Sequence, residues 1–208
     1  MVTKLALYNQ ALEHLGPVRL ASPTENRPDR FALDEAYEGA VAHVLEEGLW
    51  FFALRSSMLE PDTDVEARFG LPYTYSFPED YVRLRAICTD EAQTNEDRSY
   101  KREGPYVFSA YNVLYVTYVS NDDLYGWNMG RWPQLFVEAV AAELAYRSGL
   151  PITKDRGTKN DLFIIKDRAL GKARRKDAVD ERVKSKPLSS WANARLGGGR
   201  PEQRRQAT

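Results

Sequence analysis

The side chains of this chain best suited to chemistry are its carboxylates, two histidines, one cysteine and a run of glycines. Close carboxylate pairs occur at Asp62/Asp64, Glu79/Asp80 and Asp122/Asp123. Glycoside hydrolysis needs two carboxyl groups facing each other across a sugar. Neighbours in a loop are usually solvated turn residues, so a polysaccharide hydrolase would have to use some pair among Glu79, Asp80, Asp122 and Asp123. His14 falls near the end of a predicted helix, where a cation offsets the helix dipole. His43 has no ligand partner at helical spacing, so no zinc-protease motif forms. Cys88 lies at a predicted strand end with no nearby histidine and reads as a small apolar filler. A single cysteine excludes an internal disulfide and any multi-cysteine metal site. Gly197-Gly198-Gly199-Arg200 lacks both the Lys-Ser/Thr ending and the preceding strand of a phosphate-binding loop. No dinucleotide fingerprint and no serine elbow are present. These absences predict no enzyme activity, no cofactor and no metal.

The elements that would position such groups follow from pattern. With 208 residues and 43% hydrophobic side chains, the chain has enough apolar material for one core. It has no run of 18 apolar residues, so no membrane span is expected. Met1-Val2-Thr3-Lys4-Leu5 lacks the apolar core of a secretory leader. Leu5, Tyr8, Leu12 and Leu15 line one face of a helix over about 3–15, which Gly16-Pro17 stops. A second helix over about 28–49 begins at Pro28, with Leu33, Tyr37, Ala40, Val41, Val44 and Leu45 on its apolar side. Gly48 and the aromatics Trp50, Phe51 and Phe52 are expected to end it and plug the core.

Of 24 aromatic residues, 14 lie between Phe69 and Trp132, which marks about 71–119 as a strand region. Tyr73, Tyr75 and Phe77 alternate with polar residues. In Tyr81 to Ile87 the alternation sets Arg83 and Arg85 opposite Val82, Leu84 and Ala86. Residues 89–104 read as a long polar loop. Tyr106 to Phe108 and Val113 to Val119 read as a hairpin about Ala110-Tyr111-Asn112. Tyrosine-rich strands with Arg83 and Arg85 could stack nucleobases, although a half-buried sheet is the ordinary role of such strands. A third helix, about 133–148, carries Phe136, Val140 and Leu144 and ends at Gly149 and Pro151. A fourth covers about 156–184. The fold class is therefore α+β, with one domain over 1–186, a helical bundle and a central antiparallel strand region.

Charge is unevenly spread. Residues 1–148 hold 13 Lys and Arg against 23 Asp and Glu, and residues 149–208 hold 16 against 7. An acidic body with a basic end can pair head to tail with copies of itself. The same basic end could instead bind DNA phosphates. Residues 187–208 cannot bury enough to fold alone and are expected to form a flexible basic arm. Trp191, Arg195, Arg200, Arg204 and Arg205 are of the types that anchor interfaces.

Four blocks resemble the tail tubular protein A family, the head-to-tail adaptors of short-tailed bacteriophages. The first is Leu7-Tyr8-Asn9-Gln10-Ala11-Leu12 followed by Leu15-Gly16 and Arg19-Leu20. The second runs from Glu46 through Trp50-Phe51-Phe52 to Arg55, the third from Pro72 through Tyr75 and Phe77 to Tyr81, and the fourth from Phe136 to Ala145 through Leu144. The resemblance spans about 5–180 and implies a virion structural protein of the tail neck, assembled in the host cytoplasm. Its copies would form a ring, expected to be dodecameric, between portal protein and tail nozzle protein, with genomic DNA passing through the lumen during ejection. In that setting the arm would dock on the portal through Trp191 and its four arginines.

Overall fold

The computed structural model describes residues 2–180. Four helices and two small antiparallel sheets make an α+β fold. Helix α1, Lys4–Leu15, opens on Thr3, whose hydroxyl accepts from the Ala6 amide at 3.2 Å. It closes on Gly16 at φ 87°, a left-handed turn that lets the Gly16 amide reach the Leu12 carbonyl. The return loop is clamped to α1 by Asn9, which donates to the Leu20 carbonyl at 3.0 Å and accepts from its amide at 2.7 Å. Helix α2, Pro28–Glu46, starts on proline, whose missing N–H falls where no intrahelical partner exists.

Helix α3, Gln134–Thr153, is the centre of the bundle and packs against α1, α2 and α4, Thr158–Asp180. Its alanines at 139, 141, 142 and 145 are buried together with Phe136, Val140 and Leu144, as expected of a helix covered on several sides. Gly149 and Pro151 do not end it. A Cβ on Gly149 would lie 2.7 Å from Leu162 Cδ1, so the absence of a side chain here lets Leu162 of α4 seat closely against α3. Beyond it, the Thr153 hydroxyl bonds the Gly149 carbonyl and Lys154 caps the helix in a left-handed conformation.

Between α2 and α3 lie the sheets. Strand β1 is Leu54–Leu59, β2 Tyr73–Ser76, β3 Tyr81–Cys88, β4 Lys101–Glu103, β5 Tyr106–Ser109 and β6 Leu114–Ser120. One sheet has the order β1-β6-β3 and the other β2-β5-β4. The expected hairpin of β5 with β6 does not form: β5 pairs with β2 and β4, and β6 with β1 and β3. The turn at Ala110–Asn112 instead carries the chain from one sheet to the other. Residues 89–104 are also more ordered than a polar loop, since they contain β4, a bridge from Glu96 to Cys88 and the buried Asp97. Asp97 earns its burial by accepting from Ser99 and Ser109.

The two sheets enclose a second core of Leu59, Tyr75, Ile87, Val107, Leu114, Val116 and Tyr118. Register shifts in β3 at Tyr81/Arg83 and Leu84/Ala86 break the expected alternation. Each extra residue turns the strand, so Tyr81, Leu84 and Ile87, three apart, all serve this second core. Val82 turns the other way, to the helical core, with Leu54 and Val119.

Trp50 and Phe136 meet edge to face at 4.9 Å, and Phe52 meets Phe136 at 4.7 Å. Trp50 also donates from Nε1 to the Val44 carbonyl at 2.7 Å. Phe51 departs from its expected core role. It is 59% exposed, because the short 3-10 turn Phe51–Ala53 sends consecutive side chains in different directions. Phe77 is half-buried at the edge of the second core, stacked on Tyr81 at 4.1 Å.

Candidate functional site

Among the described residues, two charged clusters join the main layers of the fold; a third, Asp34 with Lys4, Arg30 and Tyr8, ties α1 to α2. The first cluster sits where the sheets join the helices. The turn after β2 presents Asp80, the end of β6 presents Tyr118 and Ser120, and the start of β1 presents Arg55. The Asp80 carboxylate accepts from Arg55 Nη1 at 2.9 Å, from the Tyr118 hydroxyl at 3.0 Å and from the Ser120 hydroxyl. Its backbone carbonyl takes the Asn121 amide at 3.0 Å. Burial pushes this carboxyl up, but the bonds from Ser120, Arg55 and Tyr118 outweigh it and hold the group below the usual carboxylate range. The same arrangement raises the Tyr118 phenol, first by burial and then by its bond to Asp80.

Of the four acids weighed for hydrolysis, Asp80 and Asp122 come together, at 2.9 Å and 4.0 Å from the one Arg55 guanidinium. The bonds to Asp80 favour its ionised form, whereas a general acid must hold its proton at working pH. Asp122 accepts from the Leu124 amide, the ordinary turn role of an aspartate. The pair therefore reads as a joint between layers.

The second cluster lies between α2, α3 and α4. Glu143 is 4% exposed, yet its carboxylate receives Arg147 Nε at 2.7 Å and Lys166 Nζ at 3.1 Å, with His43 Nε2 at 3.9 Å. Gly39 makes room, since a Cβ there would stand 3.0 Å from Arg147 Nη1. A groove of about 250 Å³ opens beside Glu143, bordered by His43, Phe163, Lys166 and Arg174. Two cations satisfy the acid, which is how a buried charge is retained. The sequence hint was an acid inside the apolar run from Phe136 to Ala145. No group of three or more potential metal ligands occurs among the described residues.

No protein-family model and no curated protein matches this chain.

Basic residues at the end of α4 stand exposed, with Arg174 paired to Glu47 at 3.0 Å. The strand aromatics weighed for base stacking are turned largely inward, and Arg83 donates to the Glu46 carbonyl at 2.8 Å. Trp191, Arg195, Arg200, Arg204 and Arg205 lie outside the described residues, as does the end of the expected fourth helix. No described helix is long and apolar enough to cross a membrane.

Proposed function

We propose that this chain is a head-to-tail adaptor of a short-tailed bacteriophage. In this role it is a structural protein of the virion neck whose copies form a ring between portal and tail nozzle. The observation that carries the reading is the common location of the blocks that resemble tail tubular protein A. Leu7, Tyr8, Ala11 and Leu12 from the first, Trp50 and Ala53 from the second, and Phe136, Val140 and Leu144 from the fourth share one core. The third supplies Tyr75 to the other core and Asp80 to the joint between sheets and helices. The first, second and fourth blocks thus act as one packing unit, and the third is tied to the second by the bond of Arg55 to Asp80, as expected if the resemblance reflects a shared fold. The acidic body and basic end suit subunits that meet copies of themselves, and an acidic lumen would keep DNA from sticking as it passes. Trp191 and the arginines at 195, 200, 204 and 205 would anchor the arm on acidic portal surface, with ring multivalency amplifying each weak contact.

Mixing the purified chain with portal rings of the same virus tests the proposal. Native mass spectrometry and negative-stain imaging should find a ring of this chain stacked on the portal, and deletion of residues 187–208 should leave a folded protein that no longer joins it. A full-length chain that ignores portal rings at every ratio would refute the adaptor role.

A further inference from the structure

The outward side of α2 carries Phe31, Glu35, Glu38, Ala42 and Glu46, all exposed. At 100° per residue these five fall within about 80° of arc and span about 22 Å of helix. Beyond Asp161 in its first turn, the outward side of α4 carries Ile164, Arg168, Lys172, Arg175 and Val179, also exposed, with Arg168 and Lys172 bordering a groove that Glu13 and Glu138 line from the other side. These five α4 residues too fall within about 80° and span about 22 Å. Each stripe sets three like charges between apolar residues, Phe31 and the nearby Leu49 on one, Ile164 and Val179 on the other. Phe31 is 51% exposed, Ile164 46% and Val179 77%, so each stripe keeps apolar surface in water beside its charges. Among the described residues, Glu35, Glu38 and Glu46 make no ion pair, and neither do Arg168, Lys172 and Arg175.

From this complementarity of sign, length and apolar ends, we infer that the acidic stripe of α2 docks on the basic stripe of α4 of a second copy of this chain. The two stripes are different surfaces, so the contact is heterologous and propagates from copy to copy. It deepens the ring reading and rests on that reading only for closure. Two helix faces bury less than a standard interface, so each contact is weak alone and gains from closure. Ala42 lies within the acidic stripe and Gly171 borders the basic one, about 20° outside its arc, and at both positions a small residue lets the helix axes approach closely.

Cysteine cross-linking captures a weak contact. In the full chain, A42C/G171C under mild oxidation should give a ladder of covalent oligomers, while A42C alone and G171C alone should not. E35K/E38K in the same background should reduce the ladder about tenfold, as should raised salt. No ladder above the single-cysteine controls would overturn the inference, as would A42C alone giving dimers, which would mean α2 facing α2. Loss of duplex-DNA retention in R168E/R175E, without any ladder in A42C/G171C, would also overturn it and assign the α4 stripe to nucleic acid. Portal binding is read separately, so a chain that joins portals without the ladder would sink this contact and leave the adaptor role standing.

Discussion

Replacing Asp80 by alanine should be among the most damaging single changes to this protein, although Asp80 lies in a turn. Its carboxylate is the acceptor for Arg55, Tyr118 and Ser120. Tyr118 is fully buried, so its hydroxyl would lose its acceptor without gaining water, a cost of about 1–3 kcal/mol. Ser120, also buried, adds about 1 kcal/mol. Arg55 is 38% exposed and can rehydrate, so its share is at most about 1 kcal/mol. The total, about 2–5 kcal/mol, is a large part of an ordinary domain's stability. Urea unfolding followed by tryptophan fluorescence would measure it. Tyr118→Phe alone should cost about 1 kcal/mol, but in the Asp80→Ala background it should cost nothing, because the orphaned hydroxyl is removed with it. The pH dependence has a definite sign. The folded carboxyl lies below its ordinary value of 3.8, so the unfolded chain binds more protons in that window. Its stabilisation is full above that value and is lost as pH falls through the folded value. The gap between wild type and Asp80→Asn should therefore be constant near neutrality and close in acid. A loss below about 1 kcal/mol for Asp80→Ala, or strict additivity with Tyr118→Phe, would refute this account.

Glu143→Ala should cost about 2–3 kcal/mol by urea unfolding, less than the full price of breaking a buried pair because Arg147 and Lys166 can partly reach solvent. Adding Lys166→Met should recover part of that loss. Gly126→Ala should destabilise by at least about 3 kcal/mol in thermal or urea unfolding, because the new methyl would stand 2.2 Å from the Ser120 carbonyl oxygen. Trp50→Phe should cost about 2–3 kcal/mol, through the lost bond to the Val44 carbonyl and the space left beside Phe136; near-native stability would show that the indole N–H contributes little.

The helices were legible because their signals are local. Thr3 and Gly16 bracket α1, and Pro28 opens α2. The sheets were less legible because partners far along the chain decide them. Leu54–Leu59 neither alternates nor carries many β-branched residues, and it is a strand because β6 pairs with all six of its residues. Ala110-Tyr111-Asn112 signals a turn by its residue types, but nothing local says that β5 and β6 belong to different sheets. Pro151 misled because a proline rule that ignores tertiary packing predicts a stop. Among candidate site residues, Asp80 was visible only as the neighbour of Glu79, whereas its real partners, Arg55, Tyr118 and Ser120, are 25 to 40 residues away. Glu143 was hidden in an apolar stripe: Arg147 stands four residues on in the same helix, but Lys166, its second cation, comes from α4.

The irregular register of β3 bears on how this protein would fail. Within their sheet, β3 and β1 are the two outer strands. The shifts in β3 disturb the row of amides and carbonyls that an incoming strand would need to match. By contrast, β1 runs in unbroken register from Leu54 to Leu59, with Ser56 and Met58 exposed. Aggregates formed on heating should therefore grow from β1, and a single lysine at Met58 would blunt that side as the bulges blunt the other.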